Sequence, residues 1–466
     1  MPPNPLPPLG LPPAATTTLL RTALQDRVAG VLVGSALGDT IGLYTEFLSA
    51  SQAAAAYPAG RFTLTPESGG PTPFRLDMHR ASKEPGHWTD DTDHALLLLL
   101  AFLHTASSPA VAGAETSQPP PLPSQTDFAA RLRVWVQMGL RVLDTMPLGL
   151  GRLVSSVVAS EGFVEEPERV ACETWKRTGK RVAPNGSLMR THPLGVICLF
   201  REEEEAFRVA ADISRVTHFD PRCVVACVIG TGLVRGVVRG EVVAEEDVDV
   251  LIDRAVQWFR DSNEGMEGVE LNLEELKRHV SPEWGLDALN LDEHAAIGYV
   301  YKTLGSGVVL LRMAMRRLAE SNRGLLERSR LFEDLITDLV MRGGDADTNA
   351  CFAGALLGGL LGYSALPDHW KLGLKQKEWL IGKSDALCQV LGLKNGSYDG
   401  REDPDIEIYG GRPMLSQEEM EARWMVLQAE TAKKMKEAAQ VNMNASKPSK
   451  TRWSLPWQSK GRQVNS

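Results

Sequence analysis

Residues 343–362 read Gly343-Gly344-Asp345-Ala346-Asp347-Thr348-Asn349-Ala350-Cys351-Phe352-Ala353-Gly354-Ala355-Leu356-Leu357-Gly358-Gly359-Leu360-Leu361-Gly362. An acidic run leads straight into an apolar segment with glycines at 354, 358 and 362. The pattern predicts a helix over 349–365 with one bare face, because side chains four apart share a face. Each mid-helix glycine costs about 1 kcal/mol relative to alanine. A helix carrying several therefore needs a neighbour whose backbone comes very near. A matching pattern stands near the start of the chain, where Gly30, Gly34, Gly38 and Gly42 line one face of a helical stretch over 24–42. Such stripes also occur in membrane helices. Here Asp39 interrupts the first, and Ala350 to Leu366 is shorter than the roughly 20 residues a span needs. Both are expected to be buried helices of a soluble protein, with no membrane span.

Further helical patterns cover 91–104, 128–145, 204–217, 222–238, 294–319 and 326–341. Alternating, strand-like runs are few, so the chain is expected to be all-α. Residues 1–18 are expected to be a disordered Pro-rich arm, with low complexity over 1–16. The body should run over 19–400, interrupted by a flexible insert at 105–126 that contains Pro-Pro-Pro-Leu-Pro. Residues 401–466 form a C-terminal extension. In it Ser416-x-x-Glu419 is a capping box, and Met420, Trp424, Leu427 and Thr431 recur at helical spacing. The end carries Lys447, Lys450, Arg452, Lys460 and Arg462 around Trp453 and Trp457. It is expected to be a solvated basic tail rather than a nucleic-acid or membrane contact.

The 466 residues are 43% hydrophobic and 23% charged, ordinary for a globular protein. A net charge of −9 gives no overall footprint for nucleic acid. Six scattered cysteines, mostly in apolar stretches, are expected to be reduced core residues of a cytoplasmic or nuclear protein. The N-terminus lacks the charged and apolar regions of a signal peptide.

A second acidic run, Thr89-Asp90-Asp91-Thr92, also abuts an apolar helix. Each run is a carboxylate cluster at a helix N-terminus, where partial positive charge tolerates anions. A lone Asp-Asp pair is usually a cap or a solvated surface feature. Two such runs form an all-oxygen ligand set without thiolates, which suits a hard divalent cation, Mg²⁺ or Mn²⁺. If the fold brings them together, a two-metal site follows, with ions roughly 3.5–4 Å apart. Glu46 lies just beyond the first glycine helix. Asn185-Gly186-Ser187-Leu188-Met189-Arg190 is a polar turn able to cradle a phosphate, but it lacks the Gly-Lys-Ser/Thr of a P-loop. Gly230-Thr231-Gly232 lies inside a helical pattern and follows no strand, which argues against dinucleotide binding. His218 could cap a helix or contact a ligand base.

Taken in order, these residues resemble the ADP-ribosylglycohydrolase family. The likeness spans roughly 24–370 and rests on Gly34-x-x-x-Gly38-Asp39 with Glu46, Trp88-Thr89-Asp90-Asp91-Thr92, Asn185-Gly186-Ser187-x-Met189-Arg190, Thr217-His218 and Gly343-Gly344-Asp345-Ala346-Asp347-Thr348-Asn349. Gly298-Tyr299-Val300 with Thr303-Leu304-Gly305 is a looser match. The resemblance implies an orthogonal multi-helix fold with two Mg²⁺ ions, Mn²⁺ being an alternative, at the bottom of an ADP-ribose cleft. It implies Thr89, Asp90 and Asp91 on one side of the metal pair, and Asp345, Asp347 and Thr348 on the other. Glu46 and Asp345 are then the catalytic candidates. Asn185, Gly186, Ser187, Leu188 and Met189 would contact the diphosphate and ribose, and His218 the adenosine half. The implied activity is hydrolysis of the glycosidic bond in ADP-ribosyl conjugates by a monomer acting on ADP-ribosylated proteins or related derivatives. A non-catalytic ADP-ribose-binding protein of the same fold is the alternative. Asp93-His94 departs from the small or apolar residues often found there, and the insert and extension look particular to this chain.

Overall fold

The computed structural model describes residues 12–65, 70–107, 119–262, 271–280, 285–320 and 325–445. In chain order the helices are α1 (Pro13–Gly42), α2 (Ala50–Ala56), α3 (Asp90–Ala106), α4 (Gln125–Met138), α5 (Arg152–Val158), α6 (Pro167–Arg177), α7 (His192–Ile197), α8 (Glu203–Arg215) and α9 (Pro221–Arg239). Then come α10 (Glu245–Ser262), α11 (Leu273–Val280), α12 (Val300–Ala319), α13 (Leu325–Val340), α14 (Ala346–Leu361), α15 (Asp368–Lys371), α16 (Lys377–Val390) and α17 (Gln417–Ala445). The described residues hold no strand, only two isolated bridges, Ser49 with Gly343 and Pro184 with Tyr299. The fold is all-α, as the periodicity requires.

The two glycine helices pack against each other, antiparallel. A Cβ on Gly34 would stand 2.5 Å from the Gly354 carbonyl oxygen, and one on Gly38 would stand 1.9 Å from that of Ala350. Only bare faces allow this approach. Around the pair, α9, α12 and α13 supply apolar side chains, among them Val228, Ile229, Val308, Leu311, Phe332 and Ile336, all buried. Among the described residues one helix, α9, is long and apolar enough to cross a membrane, and 94% of that stretch is buried inside the protein. Gly230, Thr231 and Gly232 lie within it. All six cysteines are free, and five of them are buried.

The structure corrects several boundaries. Helix α1 begins at Pro13, inside the arm expected to be disordered through residue 18. Proline suits a first turn because its missing N–H would be unpaired there. The following threonines return their hydroxyls to the preceding turn, Thr18 to the Ala14 carbonyl at 2.9 Å and Thr22 to that of Thr18 at 3.0 Å. The insert expected at 105–126 is narrower. Residues 105 and 106 end α3, Pro123 is buried, and α4 has begun by Gln125. Residues 108–118, and the arm up to residue 11, lie outside the described residues. The helix expected over 128–145 stops at Met138, where Gly139 takes φ 77°, and the one expected over 294–319 starts only at Val300. Helix α10 escapes the sequence reading, although Val248, Leu251, Ile252, Ala255, Val256 and Phe259 form its buried face.

The extension carries the expected helix. The Ser416 N–H donates to Glu419 Oε2 at 2.7 Å, and the Glu419 N–H donates to Ser416 Oγ at 3.2 Å. Trp424 and Leu427 face the body half-buried, and Thr431 is buried. Arg423 grips Asp144 through two hydrogen bonds, at 2.8 and 3.0 Å. The basic tail beyond Ala445 lies outside the described residues.

Candidate active site

The crossing of α1 and α14 builds the site. A Cβ on Gly42 would stand 2.3 Å from the Asp347 Cα, so the end of α1 lies directly on the start of α14. That contact places Asp39, and Glu46 just beyond the helix, beside Asp345 and Asp347. The approach to α14 needs two left-handed residues, Gly343 at φ 68° and Gly344 at φ 75°. The turn is locked to the Glu46 segment, because the Phe47 N–H donates to the Gly344 carbonyl at 2.7 Å and the Gly344 N–H to that of Leu48 at 2.9 Å. Phe47 is itself left-handed, at φ 59°, and half exposed.

Helix α3 presents the other acidic run. Asp39 receives the backbone N–H of Thr89 at 2.9 Å and that of Thr92 at 3.1 Å, together with the Thr92 hydroxyl at 2.6 Å. Thr89 caps α3, accepting the Asp91 N–H and donating its hydroxyl to Asp91 Oδ2 at 2.9 Å. The carboxylates then form two groups. One ligand atom each from Asp39, Asp91 and Asp347 lie within 4.8 Å of one another, and the same holds for Glu46, Asp345 and Asp347. Asp347 belongs to both.

Electrostatics show how strongly these acids crowd one another. Burial, then the neighbouring carboxylates, holds Asp91 and Asp347 well above the ordinary range. Asp90 is also raised well above it by burial and by Glu46, against an opposing pull from Lys83. Burial and the Glu46 charge push Asp345 up to about 6. Burial would raise Glu46 as well, but His79 Nε2, 2.5 Å from Glu46 Oε2, outweighs it and holds that carboxyl below its usual value. Asp91 Oδ1 is buried and has no hydrogen-bond partner among the described residues. An orphaned carboxylate oxygen among crowded acids fits a hard divalent cation, whose charge would relieve the repulsion.

A cavity of about 270 Å³ opens over these groups, lined by Glu46, Asp90, Asp91, Asp345, Asp347 and Thr348 on one side and by Asn185, Gly186, Met189 and His218 on the other. Asn185 spans both, its amide donating to Asp345 Oδ2 at 2.8 Å and to Thr303 Oγ1 at 2.9 Å. The Thr348 hydroxyl donates to Asp345 Oδ1 at 3.3 Å. The looser Gly298 motif joins here too, since the Asn185 N–H donates to the Gly298 carbonyl at 3.0 Å. His218 Nδ1 pairs with Thr217 Oγ1 at 2.7 Å, and burial, with the nearby Arg190 charge, keeps the ring neutral.

Not every expected side chain reaches the cavity. Ser187 turns inward, its hydroxyl accepting from Ser214 Oγ at 3.1 Å and Cys227 Sγ at 3.3 Å. Leu188 is buried against α9. Thr89 does not line this cavity either. Asp39 and His79 were given no role from sequence. For Asp39 the signal was present, a charge within an apolar glycine stripe; His79 carried none. Asp93 has a packing role, its two oxygens accepting the indole N–H groups of Trp88 and Trp135 at 2.8 and 2.9 Å. His94 packs edge-on against Trp135, with centroids 4.4 Å apart.

Known proteins resemble this chain in sequence. An uncharacterized protein of Archaeoglobus fulgidus is 26% identical over 372 residues, covering 79% of this chain and 97% of its own. ADP-ribosylarginine hydrolase Tri1 of Serratia proteamaculans is 24% identical over 372 residues, covering 78% of this chain and 79% of its own. ADP-ribosylhydrolase ARH3 of Danio rerio is 26% identical over 221 residues, 44% of this chain and 56% of its own. A solved structure described as an ADP-ribosylglycohydrolase-related protein complex covers 79% of this chain and 99% of its own at 22% identity, with a TM-score of 0.48. The ADP-ribosylglycohydrolase family model matches residues 20–397. Matched over most of its length, the chain belongs to the ADP-ribosylglycohydrolase family.

Proposed function

We propose that this protein is a Mg²⁺-dependent hydrolase that cleaves the glycosidic bond of ADP-ribosyl conjugates and releases ADP-ribose. Family membership, with relatives named as ADP-ribosyl hydrolases, supports hydrolysis of ADP-ribose conjugates in general. The metal and the bond cleaved are the finer reading. The observation that carries it is the pair of carboxylate groups sharing Asp347 under a cleft lined by Asn185, Met189 and His218.

Asp39, Asp91 and Asp347 would hold one cation, and Glu46, Asp345 and Asp347 a second, with Asp90 and Thr348 at the rim. Bound there, two hard cations would supply Lewis-acid charge for orienting ribose hydroxyls and for acidifying water. Cleavage at the anomeric carbon passes through an oxocarbenium-like transition state, which nearby carboxylates stabilise. Asp345, oriented by Asn185 and Thr348, and Glu46, held by His79, are the carboxylates assigned to taking the proton of the attacking water. Asn185, Gly186 and Met189 position the ribose and diphosphate, and the neutral His218 ring offers a face or a nitrogen to the adenosine half.

The test is incubation with ADP-ribosyl-arginine, an ADP-ribosyl-serine peptide, poly(ADP-ribose) and O-acetyl-ADP-ribose, each with Mg²⁺ or EDTA. Free ADP-ribose with Mg²⁺, and none with EDTA, is expected from at least one of them. Binding without turnover would make the protein a non-catalytic ADP-ribose binder, and AMP as product would make it a phosphohydrolase.

A further inference from the structure

Arg190 carries a guanidinium into the interior, where no carboxylate pairs with it among the described residues. Its group lies over the Phe128 ring, 4.9 Å from the centroid, and Nε and Nη1 are buried with no hydrogen-bond partner among those residues. Nη2 is engaged, donating to the Ile213 carbonyl at 3.2 Å and to Thr217 Oγ1 at 2.8 Å. The same threonine oxygen lies 2.7 Å from His218 Nδ1. All three side chains are buried.

Counting hydrogens sets the direction of each bond. A guanidinium can only donate, and a threonine hydroxyl has one hydrogen to give. Thr217 Oγ1 accepts from Arg190, and among the described residues its hydrogen has no acceptor other than His218 Nδ1. A proton on Nδ1 would point at that same oxygen and leave the hydroxyl hydrogen buried and unpaired, a costly arrangement. Nδ1 is therefore the acceptor. Burial, with the Arg190 charge, keeps the ring neutral, so its single N–H is at Nε2.

The protonated nitrogen faces open space. His218 and Gly186 both line the cleft, and Nε2 has no partner among the described residues. A Cβ on Gly186 would stand 3.1 Å from Nε2. Gly186 is not in the left-handed region, so what its missing side chain provides is room beside this nitrogen.

We propose that Arg190 and Thr217 are positioning residues, which fix His218 as a hydrogen-bond donor, through Nε2–H, to an acceptor atom of the bound ligand. A ligand that offers a phosphate oxygen or a bare ring nitrogen at this point is received, and one that offers an amine is refused. Naming ADP-ribose as that ligand rests on the proposed function; the tautomer does not.

Long-range proton–nitrogen NMR of the full chain, with isotope-labelled histidine, reads the tautomer directly. Loss of signals in His218→Gln identifies the ring. A neutral imidazole with its proton on Nε2 is expected in the free protein, and a proton on Nδ1, or on both nitrogens, would overturn the proposal. Calorimetric titration of ADP-ribose gives the second readout. Thr217→Val, similar in shape but without the hydroxyl, should weaken binding about tenfold and let the proton populate both nitrogens. Thr217→Ser should restore the affinity and the tautomer together. If Thr217→Val fails to melt cooperatively, the spectrum of the unaltered chain still decides. Binding of ADP-ribose that Thr217→Val leaves unchanged would overturn the relay alone. No binding by the unaltered chain would overturn the proposed function and, with it, the ligand named here.

Discussion

Asp39, on α1, is the N-terminal anion of α3: the Thr92 hydroxyl donates to its Oδ2 at 2.6 Å, and the Thr89 and Thr92 N–H groups donate to the same carboxylate. One residue thus fixes the second acidic run in place and belongs to the Asp39, Asp91, Asp347 group. Asp39→Asn turns an amide toward three donors and should cost about 1–3 kcal/mol of stability. Thermal unfolding and Mg²⁺ calorimetry should both register the change. A variant with unchanged melting and unchanged metal affinity would remove Asp39 from this role.

The α1–α14 crossing sets two effects of Gly38→Ala against each other. Alanine gains up to about 1 kcal/mol of helix propensity. Its Cβ, however, would meet the Ala350 carbonyl oxygen, backbone that cannot swing aside, 1.9 Å away. Overpacking of this kind costs typically about 1–3 kcal/mol, so the substitution should destabilise the protein and, by spreading Asp39 from Asp347, reduce turnover. Gly382→Ala is the control, since nothing lies within 4 Å of the added atom in α16. It should leave stability unchanged or slightly higher in denaturant melts.

Glu46→Gln should lower kcat with little loss of ADP-ribose affinity, the pattern of an interaction made mainly in the transition state. Steady-state kinetics alongside ADP-ribose calorimetry would show the split. Normal turnover would dismiss the residue from the bond-breaking step.

Metal removal should expose the crowding of the acids. Asp345 is pushed up to about 6, and Asp90, Asp91 and Asp347 stand higher than usual. Between about pH 4 and those raised values the unfolded chain has lost these protons and the metal-free folded chain keeps them. Stability of the metal-free protein should therefore fall as pH rises from about 4 through 6 and beyond. A bound cation requires the ionised carboxylates, so Mg²⁺ affinity should rise over the same window. Melting curves in EDTA and in Mg²⁺ across pH 5–8 should diverge, with Mg²⁺ giving the larger gain at high pH. Asp345→Asn and Asp347→Asn should each weaken Mg²⁺ binding and remove most activity while keeping the fold. Parallel pH curves in the two conditions would count against a metal centre.

Much of this was legible one helix at a time. The all-α class, the bare faces of α1 and α14, the cap at Ser416, and the acidic helix starts depend on residues within a turn or two of each other. Spacing and side-chain chemistry decide such features locally, and the order of the motifs pointed to the family. Helix α10 was equally legible, since its buried residues at 248, 251, 252, 255, 256 and 259 keep a helical period, whereas the buried face of α16 mixes Leu380, Ala386, Leu387 and Cys388 with Lys383 and Ser384, which dilutes the apolar repeat.

The site itself was decided by packing. Nothing near residue 39 in the sequence shows that its carboxylate meets Thr92, or that Asp347 serves two groups of acids at once. Those contacts join residues 39, 91 and 347, and they exist because two glycine faces can approach until backbone touches backbone, in a register that neither face specifies alone. The same long-range packing turned Ser187 and Leu188 into the core although their neighbours line the cleft. It also laid α17 against Asp144. Side-chain identity fixed which groups were available for chemistry, and the tertiary contacts fixed which of them face one another.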